Sequence, residues 1–319
     1  MPLVSVCIVT FNHEKYIYDC ISSVILQTSK VSLEILIGDD CSEDKTTKII
    51  EDMAKKHPDL IKHYRHTNRL GSGAKNYQFL IKKATGQFIA HLDGDDYWLP
   101  GKLFEQVRFL EQYPECSAVY TNAIAIHDNG SFLGLFNNNI PELLNINEIF
   151  RRGNFLNHSS MLYRCHLKEN ILEMKIPFLD YRIHLAHARC GLIGYLNKPY
   201  VAYRVGSSTS ILAHANNRTR QLYWEAISDI SQSTLGTGIL AEGMAEFMRS
   251  VIFHSIKVKN IKLFLKWMPI VLSASPVNKL KMVLLIAFSI FRTGLQELIL
   301  IYQLRLSKKS GIAPILYRR

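Results

Sequence analysis

What this sequence lacks narrows it first. No Gly-x-Gly-x-x-Gly follows the first apolar run and no Gly-x-x-x-x-Gly-Lys-Ser/Thr occurs. The dinucleotide fingerprint and the loop that cradles phosphates with backbone N–H groups are therefore both missing, and a diphosphate would have to be held another way. The six cysteines (Cys7, Cys20, Cys41, Cys116, Cys165 and Cys190) form no Cys-x-x-Cys pair. That spacing excludes a zinc knuckle or redox motif and reads as reduced thiols in a cytosolic chain. No positively charged segment precedes an apolar one at the start, so Leu3 to Thr10 reads as a strand and not a signal peptide. The apolar run Met282–Phe291 is interrupted only by Ser289, but it falls short of the roughly 20 residues that cross ~30 Å of hydrocarbon.

Acidic residues are scarce in one region. Residues 241–319 carry 13 Lys+Arg against 3 Asp+Glu, whereas the remaining 240 residues hold 25 and 24. Nearly all of the net charge of +11 thus sits on the final quarter. A nearly neutral globule with a basic, apolar tail calls for a partner for the tail alone. The 319 residues suffice for one large domain or two smaller ones.

Along the chain, β-branched runs alternate with helical spacing. Val4–Thr10 is a strand pattern that ends at Phe11-Asn12-His13, and Ile17, Ile21, Val24 and Ile25 follow at helical intervals. Leu33–Ile37 is a second strand, stopping at Gly38-Asp39-Asp40-Cys41-Ser42-Glu43-Asp44. Ser42 or Asp44 can cap the next helix, about Lys45 to Lys56. A third strand is expected at Ile61–Arg65, a loop at Asn68–Ala74, and a helix through Tyr77, Leu80 and Ile81 up to Gly86. Strand and helix alternating at this spacing predict an α/β fold, a mostly parallel sheet with helices on both faces. Ligands of such sheets bind beyond the carboxyl ends of the strands, where Thr10, Asp39, Asp40 and the next strand's acids would gather.

That next strand is the centre of the sequence. Phe88–Leu92 runs into Asp93-Gly94-Asp95-Asp96. Two unit charges ~4 Å apart repel by about 4 kcal/mol at an effective dielectric of ~20. A hard divalent ion, Mg²⁺ or Mn²⁺, removes that repulsion and keeps positions open for substrate phosphates. A plain Asp-Gly surface turn is the alternative, and it needs no ion.

Val4–Asn12, Asp39–Thr46, Asn68-Arg69-Leu70-Gly71 and Leu92–Asp96 occur in the order seen in family 2 glycosyltransferases, which the chain resembles over about residues 3–210. The resemblance implies the Rossmann-like GT-A fold. It also implies a nucleotide-sugar set of Thr10, Asn12, Asp39, Asp40, Asn68, Asp93 and Asp95. In that set Thr10 and Asp39 hold the base, Asp93 lies near the ribose, and Asp95 with Asp93 holds the metal. Cys41 stands where the family usually has Gly.

Beyond Trp98-Leu99-Pro100, a helix at about Lys102–Gln112 stops at Pro114 and Ala118–Tyr120 reads as a strand. Residues 128–147 read as a loop, and His158–Arg164 resembles the family's acceptor-side strand. Trp98, His158 and Arg204 are expected on the acceptor side, with core packing or a satisfied turn as the alternative for Trp98 and His158. Asp180, opening a helix that ends at Gly191, matches the catalytic base, with Leu179 in place of the usual second acid. Val201–Gly206 matches the family's Tyr-Arg-x-His stretch with Gly206 in place of His. That leaves Arg204 or the loop Ser207–Ser210 to do its work. The expected boundaries are a GT-A domain over 1–215, divided into a nucleotide-sugar half (1–127) and an acceptor half (128–215), and a helical region over 216–319.

In the tail, helices are expected near 219–233 and 240–272. Leu295, Leu298, Ile299, Ile301 and Tyr302 continue the apolar pattern. Apolar faces flanked by Lys and Arg suit an interfacial helix on an anionic bilayer, or a helical domain or dimer interface with a solvated basic face. No nucleic-acid-binding motif organises these basic residues. The whole reads as a metal-dependent, inverting glycosyltransferase. It would move a sugar, most simply from a UDP-sugar, to a glycan or lipid-linked oligosaccharide for surface polysaccharide. It would work from the cytoplasmic face of the plasma membrane as a peripheral protein. A nucleotide-sugar-binding protein without catalysis is the alternative that Leu179 and Gly206 leave open. A basic-tailed nucleic-acid binder is the other.

Overall fold

The structure, a computed structural model, describes residues 3–206, 216–230 and 232–307. They divide into two units. The first contains residues 3–145 and 156–206; the second contains residues 146–155 with the C-terminal helices.

In the first unit, β1 (Val4–Thr10) and β2 (Leu33–Asp39) are buried along their whole length. The sheet topology explains this. β1 lies between β2 and β4 (Phe88–Asp93), parallel to both, and β3 (Ile61–Arg65) extends the sheet beyond β2. A parallel strand covered on both faces needs the unbroken apolar run that its sequence carries. Helices α1 (Ile17–Ile25), α2 (Thr46–Lys56), α3 (Gly73–Lys83) and α4 (Lys102–Gln112) turn apolar faces inward, and Ile17, Ile21, Val24, Ile50, Leu103 and Val107 pack into one core. Ser72 caps α3 by accepting the Lys75 N–H.

The register fixes the functional edge. Thr10 lies opposite Asp39, and Val9 opposite Asp93, so three chain segments end together.

Beyond β4 the sheet becomes mixed, in the order β3-β2-β1-β4-β9-β6-β10-β5. Here β5 is Tyr97–Trp98, β6 is Cys116–Ile126, β9 is Leu162–Arg164 and β10 is Leu192–Arg204. β9 runs antiparallel between β4 and β6, while β6 and β10 pair in parallel. The stretch expected as a loop, 128–147, contains two short strands, β7 (Phe132–Leu135) and β8 (Leu143–Leu144), antiparallel to β6 and β10. His158–Ser160 is a 3-10 turn, and only the last part of the expected strand pairs. Two short helices follow, α6 (Glu169–Leu172) and α7 (Asp180–Cys190). The loop Ser207–Ser210, which also precedes the expected domain boundary, lies outside the described residues.

The second unit comprises α5 (Ile146–Arg152), α8 (Asn216–Ser228), α9 (Gln232–Lys257, interrupted at Gly236 with φ 73°), α10 (Ile261–Ala274) and α11 (Lys279–Ser307). Phe247 is its centre, with ring centroids 5.2 Å from Trp224 and 5.0 Å from Trp267. Phe150 of α5 packs so closely over Gly243 that a Cβ there would lie 2.1 Å from its ring. Among the described residues, no helix is long and apolar enough to cross a membrane.

Candidate active site

The edge formed by β1, β2 and β4 is built by side chains that tie its loops together. Asn12 follows β1 with a left-handed backbone (φ 53°); its N–H donates to Ser42 Oγ (3.0 Å) and its Oδ1 accepts the Glu43 N–H (2.9 Å). Glu14 and Asp44 bridge the same two loops: the Glu14 N–H donates to Asp44 and the Lys45 N–H to Glu14, each at 3.0 Å. Asp39 is completely buried and accepts from the Ser42 N–H (2.9 Å) and the Thr47 hydroxyl (2.5 Å). Burial alone would raise its pKa, but the His63 imidazole, 3.8 Å away, and the hydrogen bonds from Ser42 and Thr47 outweigh it and bring the carboxyl down to about 2. Asp40 takes the N–H groups of Leu70 (2.5 Å) and Gly71 (3.0 Å), pinning the Asn68–Gly71 loop to the end of β2. Asn68 is exposed on that loop, and Arg69 lies 3.8 Å over the Phe11 ring. Asp39 and Asp40 thus order these loops from beneath.

The third segment carries the acids. The Gly94 N–H donates to the Val9 carbonyl (2.9 Å), drawing the turn onto the end of β1. Only glycine fits there, because a Cβ would stand 2.7 Å from His13 Nδ1 and 2.8 Å from Thr10 Oγ1. Thr10 Oγ1 is itself within 3.1 Å of His13 Nδ1. Asp93, with a side chain 42% exposed, has Oδ1 3.1 Å from His91 Nε2, while Oδ2 accepts from the Ser159 hydroxyl at 3.3 Å. Burial works to raise the Asp93 pKa, and the His91 imidazole, with His13 and the Ser159 hydroxyl, more than offsets it, so the carboxyl is held low. Asp96 is buried, accepting from Ser159 Oγ (2.6 Å) and the Arg204 N–H (2.8 Å). Its burial and the charges of Asp95 and Asp93 push its pKa well above the usual carboxylate range. The three acids therefore divide: Asp93 and Asp95 are half-buried at the edge, and Asp96 is a structural anchor.

Three acceptor-side expectations change on this geometry. Trp98 is only 2% exposed; its Nε1 donates to the Ser159 carbonyl (2.8 Å) and Lys102 Nζ lies 4.0 Å over its ring, so it packs the core. Arg204 is buried as a strut. Its Nε donates to the Asp95 carbonyl (3.0 Å) and its Nη1 to the Asp128 carbonyl (2.9 Å), and its guanidinium lies 4.5 Å over Tyr16. Tyr16 in turn donates to Asp128. A guanidinium surrounded by carbonyls positions loops, because its fork can hold several oxygens at once. His158 packs between other rings, with centroids 4.1 Å from His91 and 5.6 Å from His184.

Those rings connect the acids to α7. Leu179 holds the N-cap position in extended conformation, so Asp180 is the first helical residue, its Oδ1 accepting the Tyr181 N–H at 2.8 Å. His184 lies one turn on, on the same helical face. It reaches His158, which packs at a tilt against His91, which meets Asp93. Ser159 and His91 were not foreseen as site residues. Ser159 reaches Asp93 from 66 residues away, and no local pattern marks that contact; His91 stands two residues before Asp93 on the same face of β4, and the period-two spacing is the signal that could have found it.

Among the described residues no cluster of three or more His, Cys, Asp or Glu could hold a metal alone. The chemistry of the two edge carboxylates still fits Mg²⁺ or Mn²⁺, since such ions take one or two protein carboxylates and complete their shell with substrate phosphates.

The profile of the family described as glycosyl transferase family 2 matches residues 5–172. The chain belongs to this glycosyltransferase family. The structure of Staphylococcus aureus TarS 1–349 in complex with UDP-GlcNAc is similar, with a TM-score of 0.56, 18% identity, and 82% of this chain and 89% of that one covered. So is the mannosyltransferase PcManGT from Pyrobaculum calidifontis in complex with GDP-Man and Mn²⁺, with a TM-score of 0.54, 17% identity, and 91% and 87% covered. At these identities the likeness establishes the fold, GT-A. Among curated proteins, the Escherichia coli UDP-Glc:alpha-D-GlcNAc-diphosphoundecaprenol beta-1,3-glucosyltransferase WfaP is 29% identical over 188 residues, 56% of this chain and 66% of that protein. The chain spans 63% of the length of the mycobacterial relatives it matches. Cys41, where family members usually have Gly, has a left-handed backbone (φ 62°), which explains the usual glycine.

Proposed function

We propose that this family member transfers a sugar from a nucleoside-diphosphate sugar, a UDP-sugar first among them, to a hydroxyl of a glycan or lipid-linked oligosaccharide, with inversion, in surface-polysaccharide assembly. The observation that carries the reading is the sheet register, which brings Thr10, Asp39 and Asp93 to one edge with Asp95 in the turn that follows. The nucleotide sugars in the TarS and PcManGT complexes support the donor class, and the WfaP activity supports the UDP-sugar and the lipid-linked acceptor.

In this reading the nucleoside lies against Thr10, Asn12 and the loops that Asp39 and Asp40 order, with Asn68 and the Phe11–Arg69 stack beside it. Mg²⁺ or Mn²⁺, held by Asp95 and Asp93, would supply positive charge to offset the charge growing on the departing diphosphate. His91 and Ser159 orient Asp93. Asp180 takes the proton from the acceptor hydroxyl as its oxygen bonds to the anomeric carbon and the bond from that carbon to the diphosphate oxygen breaks. A single displacement of this kind inverts the anomeric centre.

The test is a transfer assay with a panel of nucleotide sugars and a lipid-linked acceptor, with and without Mn²⁺. Asp95→Ala and Asp180→Asn should each lower kcat by about a hundredfold or more. Full activity in either variant discards that residue's role, and donor binding without transfer or hydrolysis favours a binding protein.

A further inference from the structure

The second unit presents a face that its own fold leaves open. Helix α11 turns Met282, Ile286 and Ser289 inward, all three buried. Its rotation is fixed by polar contacts to α9: Ser289 Oγ donates to Glu246 Oε1 at 2.7 Å, and Arg292 donates to the same oxygen. On the other side stand Leu280, Leu284, Phe288, Phe291, Leu295 and Leu298, each 47–73% exposed. At about 100° per residue these six fall within an arc of about 80°, opposite the buried side chains. The helix is therefore apolar on two faces, and among the described residues only one is covered. Lys279 and Lys281 are exposed at its start, and Arg292 lies beside the open stripe.

We propose that this stripe docks on an anionic phospholipid surface, with Leu280, Leu284, Phe288, Phe291, Leu295 and Leu298 entering the interface and Lys279 and Lys281 meeting lipid phosphates. Charge selects this occupant. Residues 241–319 carry 13 basic and 3 acidic side chains, so a second copy would bring the same excess against it, whereas an anionic bilayer complements it. The length agrees, because a helix that lies in the interface needs one apolar face and not a fully apolar span. Met282, Ile286 and Ser289 of the Met282–Phe291 run are buried in the second unit, so the contact is narrower than the sequence run. The proposal stands on the second unit alone and does not depend on the chemistry of the first.

Flotation of the full chain with vesicles tests it. Phosphatidylcholine vesicles containing phosphatidylglycerol should bind the protein at least about tenfold better than phosphatidylcholine alone, and the preference should fade in about 1 M salt, where the Debye length is ~3 Å. Phe288→Asp/Phe291→Asp should lose about tenfold or more of the bound fraction, with unchanged far-UV circular dichroism and thermal unfolding. If that variant does not fold, Lys279→Gln/Lys281→Gln, at exposed positions, should lower the salt-sensitive part of binding. Failure of the wild type to float with anionic vesicles overturns the proposal, as does flotation of the folded Phe variant at the wild-type level. A concentration-dependent dimer in sedimentation velocity that the Phe variant abolishes, without vesicle binding, assigns the face to a second copy instead.

Discussion

Arg204 and Asp95, 109 residues apart in sequence, are joined by a 3.0 Å hydrogen bond from the Arg204 Nε to the Asp95 carbonyl. The Arg204 amide holds Asp96 Oδ1 at 2.8 Å, and its Nη1 holds the Asp128 carbonyl at 2.9 Å. One residue at the end of β10, through its amide and its guanidinium, thus sets the turn that carries the acids against the loop after β6. Arg204→Lys keeps the charge but cannot fork between carbonyls. It should lower stability by about 2 kcal/mol in denaturant unfolding and weaken donor binding as well. Unchanged stability and affinity would remove Arg204 from this role.

Gly94 tests the same turn from the other side. Gly94→Ala would place a methyl group within 2.8 Å of Thr10 and His13, and the turn must move. The expected result is a loss of about 1–3 kcal/mol in stability and a clear drop in nucleotide affinity by calorimetry. Gly71→Ala, where a Cβ meets nothing within 4 Å but the backbone is left-handed (φ 64°), should cost about 1 kcal/mol through the backbone alone. Equal effects at both positions would contradict the close approach at Gly94.

Much of this edge was legible in the sequence, and the reason is physical. β1, β2 and β4 are buried on both faces, so they read as apolar runs, and polar residues at their ends mark the strand termini. The mixed half was not legible. β7 and β8 are short and gain their stability from partners in β6 and β10, which local pattern does not encode. Trp98 and Arg204 illustrate the same limit. The sequence places an aromatic ring and a cation near the acids, but which way each points depends on Ser159, Lys102 and Asp128, contacts that form only in the fold.

Cys41 offers a gain in stability. Its backbone is left-handed (φ 62°), a region that costs a non-glycine residue about 1–2 kcal/mol. Cys41→Gly should raise stability by about 0.5–1 kcal/mol, net of glycine's greater entropy when unfolded. A decrease in the unfolding free energy would show that the thiol contributes more than the strain removes.

The buried imidazoles on α7 predict acid lability. Both ring nitrogens of His184 and of His187 lack hydrogen-bond partners, and burial lowers each pKa to about 3. The unfolded chain takes up a proton at each near pH 6.5, so it binds more protons than the folded chain between about pH 6.5 and 3. Stability is therefore intact above about pH 6.5 and falls as pH drops below it, by about 1.4 kcal/mol per pH unit for each histidine. His187→Phe should flatten the curve of unfolding free energy against pH between 6 and 4. An identical slope in that variant would place the lability elsewhere.

The most direct measurement is the thermal transition of wild type and Asp95→Ala with UDP, with Mn²⁺, and with both. If the edge acids hold a cation that tethers the diphosphate, UDP with Mn²⁺ should raise the wild-type midpoint by about 5–10 °C at ligand near a hundredfold of its Kd. Neither component alone should do so, and Asp95→Ala should lose the shift while melting at a similar temperature without ligand. A wild-type transition that no nucleotide moves, or a shift of equal size in Asp95→Ala, would contradict a metal-assisted donor site at this edge.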